Sequence, residues 1–328
     1  MMSSRLLVLA TGVALSLPLL AERPEINDKR APADRGDLEK IQSLLTTALP
    51  AARQATVCID LGEGSGSGVV ISPEGLILTA AHVTGGVGKE FTVVFEDGRK
   101  VKARSLGLNS ESDAAMAKII EEGTYPFVRV EDQDRTKLGD WVFALGHSGG
   151  FDKERGSVVR LGRIVRSSNS TVQSDCNLIG GDSGGPLFDL TGRLVGIHSR
   201  VGQRLPENMH VPMREFLKHW DSMADSEFLG EGPFAKKPEK GKGFLGVSVE
   251  AREGAGVRVR RVGRESPAER AGIKAGDVFL KMDGEALESK EQFAELLKEK
   301  APDDPVAFEM LRDGKTETLT LRLADRDG

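Results

Sequence analysis

Cysteine is nearly missing: the 328 residues contain two, Cys58 and Cys176. Two thiols allow at most one bridge, which excludes the small secreted folds stapled by several disulfides. Neither has His or Cys at ligand spacing, so both read as buried free thiols rather than metal ligands. Aromatics are scarce at 5%, with one Tyr and two Trp. There is no surplus of positive charge either: Lys+Arg 45 against Asp+Glu 50 leaves a net −5. A protein that neutralises phosphates carries a basic excess, so no nucleic-acid partner is expected. The five histidines show no H-E-x-x-H spacing, and neither a metal nor another cofactor is expected.

Long apolar runs are also lacking, with one exception from Leu6 to Ala21. It follows a single positive charge, Arg5, which fits a secretory signal peptide over residues 1–21. A membrane span needs ~20 such residues, and this run is interrupted by Gly12, Ser16 and Pro18. Leu19 is large for the third position before a cleavage site, so an uncleaved membrane anchor is the alternative. Either way the protein is expected to be exported.

What the chain has in excess is glycine, 39 residues, or about 12% against a usual ~7%. It is not periodic, which excludes collagen and suggests a turn-rich β protein. Residues 22–37 are polar and Pro-bearing and read as a linker. Leu38, Ile41, Leu44, Leu45 and Leu49 then recur at helical spacing, with Asp37 as candidate cap and Pro50 as the end. Short strand-like runs follow from Thr56 to Ser199, separated by turns such as Pro73-Glu74-Gly75 and Asp97-Gly98. Residues 38–222 are therefore one large β unit or two barrels in tandem. Residues 223–242, rich in Gly, Pro and Lys, read as a second linker. Residues 243–328 form a smaller unit of five strands with helices near Pro267–Ala271 and Lys290–Lys300.

The segment Gly180-Gly181-Asp182-Ser183-Gly184-Gly185-Pro186 carries the chemistry. Glycines around a serine let a carbonyl approach closely, and the N–H groups of Gly181 and Ser183 can converge as an oxyanion hole. The same residues match G-x-S-x-G, the nucleophile elbow of α/β-hydrolases, but an elbow leads into a helix and Leu194–Ser199 reads as a strand. A serine nucleophile needs a base. His82 ends the apolar strand Leu78-Thr79-Ala80-Ala81, and Asp113 is a lone carboxylate entering Ala114-Ala115-Met116. Asp97 is a rival acid, but Asp97-Gly98 is explained as a hairpin turn. The order His82, Asp113, Ser183 is that of β-barrel proteases, whereas an α/β-hydrolase runs Ser, acid, His.

With TAAHV, SDAAMAKI and GGDSGGPL in place, the first unit resembles a chymotrypsin-fold serine protease. The second, with GFLGVSV and ESPAERAGIKAGDVFLKMDGEAL, resembles a PDZ domain. Together they resemble the HtrA/Deg family over residues 38–325. The resemblance implies a mainly β protein, a chymotrypsin-like double β-barrel with a C-terminal PDZ domain. It implies a serine endopeptidase of unfolded or exposed protein segments, with Ser183 as nucleophile, His82 as general base and Asp113 orienting it. Ser199 would support Asp113, Ser199, Arg200 and Val201 would pair with the substrate backbone, and Asn177, His198 and His210 would lie near the specificity pocket. Phe244, Leu245, Gly246 and Val247 would receive a peptide C-terminus, with Phe293 on the far wall of the groove. A homotrimer is also implied. The alternative is a catalytically silent protease-fold scaffold that binds peptides as a chaperone does.

One residue departs from the family: HtrA proteins usually carry Asn before the nucleophile, where this chain has Asp182. A buried unpaired carboxylate is costly, so a local Arg or Lys is expected to pair with it and hold the oxyanion loop.

Overall fold

A computed structural model describes residues 22–131, 136–202 and 207–325. The signal peptide expected over residues 1–21 lies outside the described residues. Six strands close the first barrel: β1 (Thr56–Asp60), β2 (Ser65–Val70), β3 (Leu76–Ala80), β4 (Glu90–Val94), β5 (Lys100–Asn109) and β6 (Ala114–Ile119). Closure comes from β6, which pairs with both β3 and β5. The second barrel is β7 (Trp141–Gly146), β8 (Val158–Ser167), β9 (Val172–Ser174), β10 (Pro186–Asp189), β11 (Leu194–Val201) and β12 (Asn208–Pro212). Apolar residues alternating along the strands fill the barrel interiors: Val57, Ile59, Ile77 and Val93 in the first, Val142, Ile164, Val172 and Leu187 in the second. A third apolar cluster, with Val69, Leu78, Met116, Phe143, Phe188 and Phe216, joins the barrels back to back.

Helix α1 (Arg35–Ala55) crosses that seam, burying Ile41, Ala52 and Ala55. It corrects two expectations. Asp34, not Asp37, is the N-cap and accepts from Asp37 N, while Asp37 binds Lys29 and Ala33 N. Pro50 lies inside the helix on its exposed side, where the carbonyl that loses its backbone partner faces solvent and the helix can curve over the core. Residues 22–37 do not behave as a linker. Ile26 is buried, Arg23 pairs with Asp140 at 2.6 Å, and Asn27 Oδ1 accepts from Trp141 N. Burying Ile26 and Ile41 contributes about 1.5–3 kcal/mol each, a gain that the polarity of the flanking residues conceals.

After β12 come two short helices, α2 being the single turn Ala81–Thr84 of the first barrel, α3 (Met213–Lys218) and α4 (Trp220–Ala224). The stretch 223–242, expected as a free linker, instead returns to the first barrel: β13 (Phe228–Leu229) pairs in parallel with β5. The C-terminal unit then contains β14 (Gly243–Phe244), β15 (Val247–Ala251), β16 (Val257–Val262), β17 (Val278–Met282), β18 (Glu285–Ala286), β19 (Pro305–Arg312), β20 (Lys315–Arg322) and β21 (Ala324–Asp325). Two helices, α5 (Pro267–Arg270) and α6 (Lys290–Lys298), each start at a serine cap, Ser266 and Ser289. Its core is aromatic, with Phe279 stacked on Phe308 at 4.4 Å and Phe293 beside both. Lys89 of the first barrel reaches Asp303 of the C-terminal unit at 2.8 Å.

Candidate active site

Asp113 is held by its own turn. Asn109 Oδ1 accepts from the N–H groups of Glu111 and Ser112, and Asp113 N donates to Asn109 O. That leaves Asp113 in the left-handed region, φ 66°, with its side chain aimed back at the end of β3. His82 sits there because β3 passes directly into the turn α2; Ala81 N donates to Asp113 O and His82 N to Asp113 Oδ1. The imidazole Nδ1 is 2.9 Å from Oδ2 and 3.0 Å from Oδ1. A carboxylate only accepts, so Nδ1 carries the proton and Nε2 is free to act as a base. Ser199 Oγ donates to Asp113 Oδ2 at 2.6 Å. Asp113 is fully buried while the His82 side chain is 36% exposed, so the pair is anchored on one side and reachable on the other.

Ser183 comes from the second barrel and shares one cavity of about 370 Å³ with His82. Its hydroxyl points at Ser199 O, 3.5 Å away, and not at the imidazole. Rotation about χ1 redirects it, and such bonds are often loose until substrate is present. The loop around it is fixed from the first barrel by Ser67 of β2, a residue that the sequence did not single out. Ser67 Oγ donates to Gly181 O at 2.8 Å and accepts from His147 N, while Ser67 N donates to Ser183 O at 2.7 Å. Glycine is required here: a Cβ on Gly184, at φ +83°, would lie 2.2 Å from Ser67 O. Among the described residues neither Gly181 N nor Ser183 N donates a hydrogen bond. Both are therefore available as donors to a bound group.

Asp182 is buried with its cation beside it. Arg160 of β8 reaches Oδ2 at 2.9 Å, Ile179 N donates to Oδ2 at 2.8 Å, and Ser148 Oγ donates to Oδ1 at 2.6 Å. Arg160 also donates to Ser148 Oγ at 2.8 Å, and Arg155 donates to Ser148 O. The residues around the carboxylate thus form a closed network between β8, the turn after β7 and the nucleophile loop.

The cavity that Ser183 and His82 share receives little from the histidines expected near the specificity pocket. His198 and His210 face each other inside the barrel, Nδ1 to Nδ1 at 2.9 Å. His198 Nε2 donates to Leu145 O at 3.1 Å, and Ser174 Oγ lies 2.7 Å from His210 Nε2. Leu145 O can only accept, so His198 Nδ1 accepts from His210 and His210 Nε2 accepts from Ser174. Burial drives both histidines neutral, His198 well below its ordinary value and His210 down to about 3. Every ring nitrogen is used internally, so the pair gives the cavity no polar group. His198 lines the cavity and His210 lies behind it; Asn177 is exposed and outside it. The remaining walls are Leu178, Ile179, Gly180, Ser199, Arg200 and Val201, together with Phe234 from beyond the barrel, which the sequence placed in a linker.

In the C-terminal unit a groove of about 440 Å³ runs between β15 and α6, lined by Val247, Val249, Phe293, Ala294 and Leu297 with Lys290, Glu291 and Lys298 also on its walls. Leu245 points into the core, so only its backbone can serve the groove, and Phe244 is exposed. Gly246 is at φ +84°, and a Cβ there would meet Ser266 Cβ at 2.1 Å. Among the described residues the N–H groups of Leu245 and Gly246 donate to nothing. Burial pushes the thiols of Cys58 and Cys176 up to about 11, and both are free.

Comparison with known proteins agrees with these two units. A trypsin-like peptidase domain matches residues 66–197 and a PDZ domain matches residues 243–323. A probable periplasmic serine endoprotease DegP-like of Marinomonas sp. (strain MWYL1) is 31% identical over 269 residues, 80% of this chain and 57% of that protein. Its counterpart in Halomonas elongata is 30% identical over 275 residues, 79% and 56% of the two chains. Among solved structures, the serine endoprotease from Yersinia pestis overlaps 86% of this chain and 97% of its own at TM-score 0.49 and 24% identity. The chain spans a little over half the length of the curated relatives it matches.

Proposed function

A trypsin-like peptidase domain joined to a PDZ domain makes this chain HtrA/Deg-like, and from that premise we propose that it is a serine endopeptidase of the periplasm. Its substrates are unfolded or exposed protein segments. Ser183 Oγ attacks the scissile carbonyl while His82 Nε2 takes its proton. The oxyanion of the tetrahedral intermediate is held by the N–H groups of Gly181 and Ser183, and Asp113 stabilises the imidazolium. His82 then gives the proton to the leaving amine, and water, deprotonated by the same imidazole, releases the acyl group and restores Ser183. Arg160 and Asp182 keep the oxyanion loop in place.

The observation that carries this proposal is the Asp113–His82 pair facing the same cavity as Ser183. The neutral floor at His198, with Leu178, Ile179 and Val201, favours a medium-sized apolar side chain before the scissile bond. The PDZ groove takes a peptide C-terminus as an added strand on β15, its carboxylate at the free N–H groups of Leu245 and Gly246. Mass-spectrometric mapping of cleavage sites in a denatured model protein tests the proposal. Cuts after apolar residues, absent with Ser183→Ala, are expected; no Ser183-dependent cuts would leave the peptide-binding scaffold as the better account.

A further inference from the structure

The segment leaving the second barrel is bound to the strand that precedes Asp113. Ser110 N donates to Leu229 O at 2.9 Å, Gly232 N to Ser110 Oγ at 2.9 Å, and Phe234 N to Ser110 O at 3.2 Å. The fit is close: a Cβ on Gly232 would lie 2.3 Å from Ser110 O, and one on Gly230, at φ +75°, 2.7 Å from Glu111. Phe234 is thereby set 6.4 Å from the His82 ring, centroid to centroid, and the Arg200 guanidinium lies over its face at 5.0 Å. It lines the same cavity as Ser183 and His198.

From this placement we infer that Phe234 is a specificity-determining residue: it forms the outer wall of the subsite for the side chain preceding the residue at the scissile bond. The inference rests on the endopeptidase proposal. A substrate lying along Ser199–Val201 as a strand sends successive side chains to opposite sides. If one enters the cavity between Leu178 and His198, the one before it turns towards His82. There it meets the imidazole on one side and the aromatic face of Phe234 on the other. Apolar side chains bury area against that ring. A basic one meets Arg200, whose guanidinium already covers the ring and repels a like charge. The subsite therefore selects apolar over basic residues, and the selecting group comes from the chain between the two domains rather than from either barrel.

The test uses the full chain and a peptide series that holds the residue at the scissile bond constant and varies the preceding one. For the wild type, kcat/KM with Leu there is expected to exceed that with Lys by about tenfold. In Phe234→Ala the ratio falls by at least about threefold, because the apolar wall is gone while Arg200 still disfavours Lys. Phe234→Leu keeps an apolar wall and retains most of the ratio, and this serves where the alanine variant fails to fold. Fluorophosphonate labelling of Ser183 is measured alongside. Labelling of a folded Phe234→Ala with an unchanged Leu-to-Lys ratio overturns the assignment and leaves the endopeptidase proposal standing. A wild type that neither labels nor cleaves overturns both.

Discussion

Replacing Arg160 by Met would leave the buried carboxylate of Asp182 without its cation. Removing one partner of a buried pair typically costs about 3–5 kcal/mol, whereas neutralising both costs little. Urea titration is expected to show that loss for Arg160→Met and its recovery in Arg160→Met/Asp182→Asn. If the single variant were as stable as wild type, Arg160 would not be the counter-charge. The histidine pair gives a pH prediction of definite sign. Both are neutral when folded and titrate near 6.5 when unfolded, so the unfolded chain gains protons as pH falls below that value. Stability is present above about pH 6.5 and is lost on acidification towards pH 5. The stability difference between wild type and His210→Gln should shrink from pH 7 to pH 5; a constant difference would contradict this. The His82–Asp113 contact was legible in the sequence because each residue stands at the edge of an apolar strand, in Leu78-Thr79-Ala80-Ala81-His82 and Asp113-Ala114-Ala115-Met116. Arg160 was not, because within Val158-Val159-Arg160-Leu161 it looks like any arginine on the outside of a strand.

At the scale of elements, β2 ties the two barrels together through one hydroxyl. Ser67→Ala removes the donor to Gly181 O and the acceptor for His147 N while keeping the strand pairing. The expected result is a fall in kcat of about 10–100-fold with little change in KM, since the oxyanion donors lose their support and the substrate strand does not. An equal rise in KM would mean that the strand edge had moved instead. Most strands were readable from alternating apolar residues and glycine turns, and the barrels follow from them. The errors fell where polar composition hides packing. Residues 22–37 and 223–242 both look like linkers, yet Ile26 and Phe228 are anchored by a few apolar and backbone contacts that no periodicity signals. Pro50 was taken as a helix end because a proline breaks a buried helix; on a solvent face it is tolerated.

Across the whole molecule, the division into protease and PDZ units was legible because each has its own core, and the aromatic cluster of Phe279, Phe293 and Phe308 belongs to the second alone. How the units meet was not, since Lys89–Asp303 joins residues far apart in sequence with no local mark. The groove between β15 and α6 leads to a binding prediction. A peptide ending in an apolar residue with a free carboxylate should bind the full chain in calorimetry, and its amidated form should bind at least about tenfold more weakly, having lost charge-assisted bonds to Leu245 and Gly246 N–H. Equal affinity for both would place the peptide elsewhere. The central claim, that the Asp113–His82 pair activates Ser183, is tested most directly by treating the folded full chain with a fluorophosphonate and locating the adduct by mass spectrometry. One adduct is expected, on Ser183, formed at least about a thousandfold more slowly after His82→Ala. A folded protein that takes no adduct at Ser183, or takes it equally fast without His82, would contradict the claim.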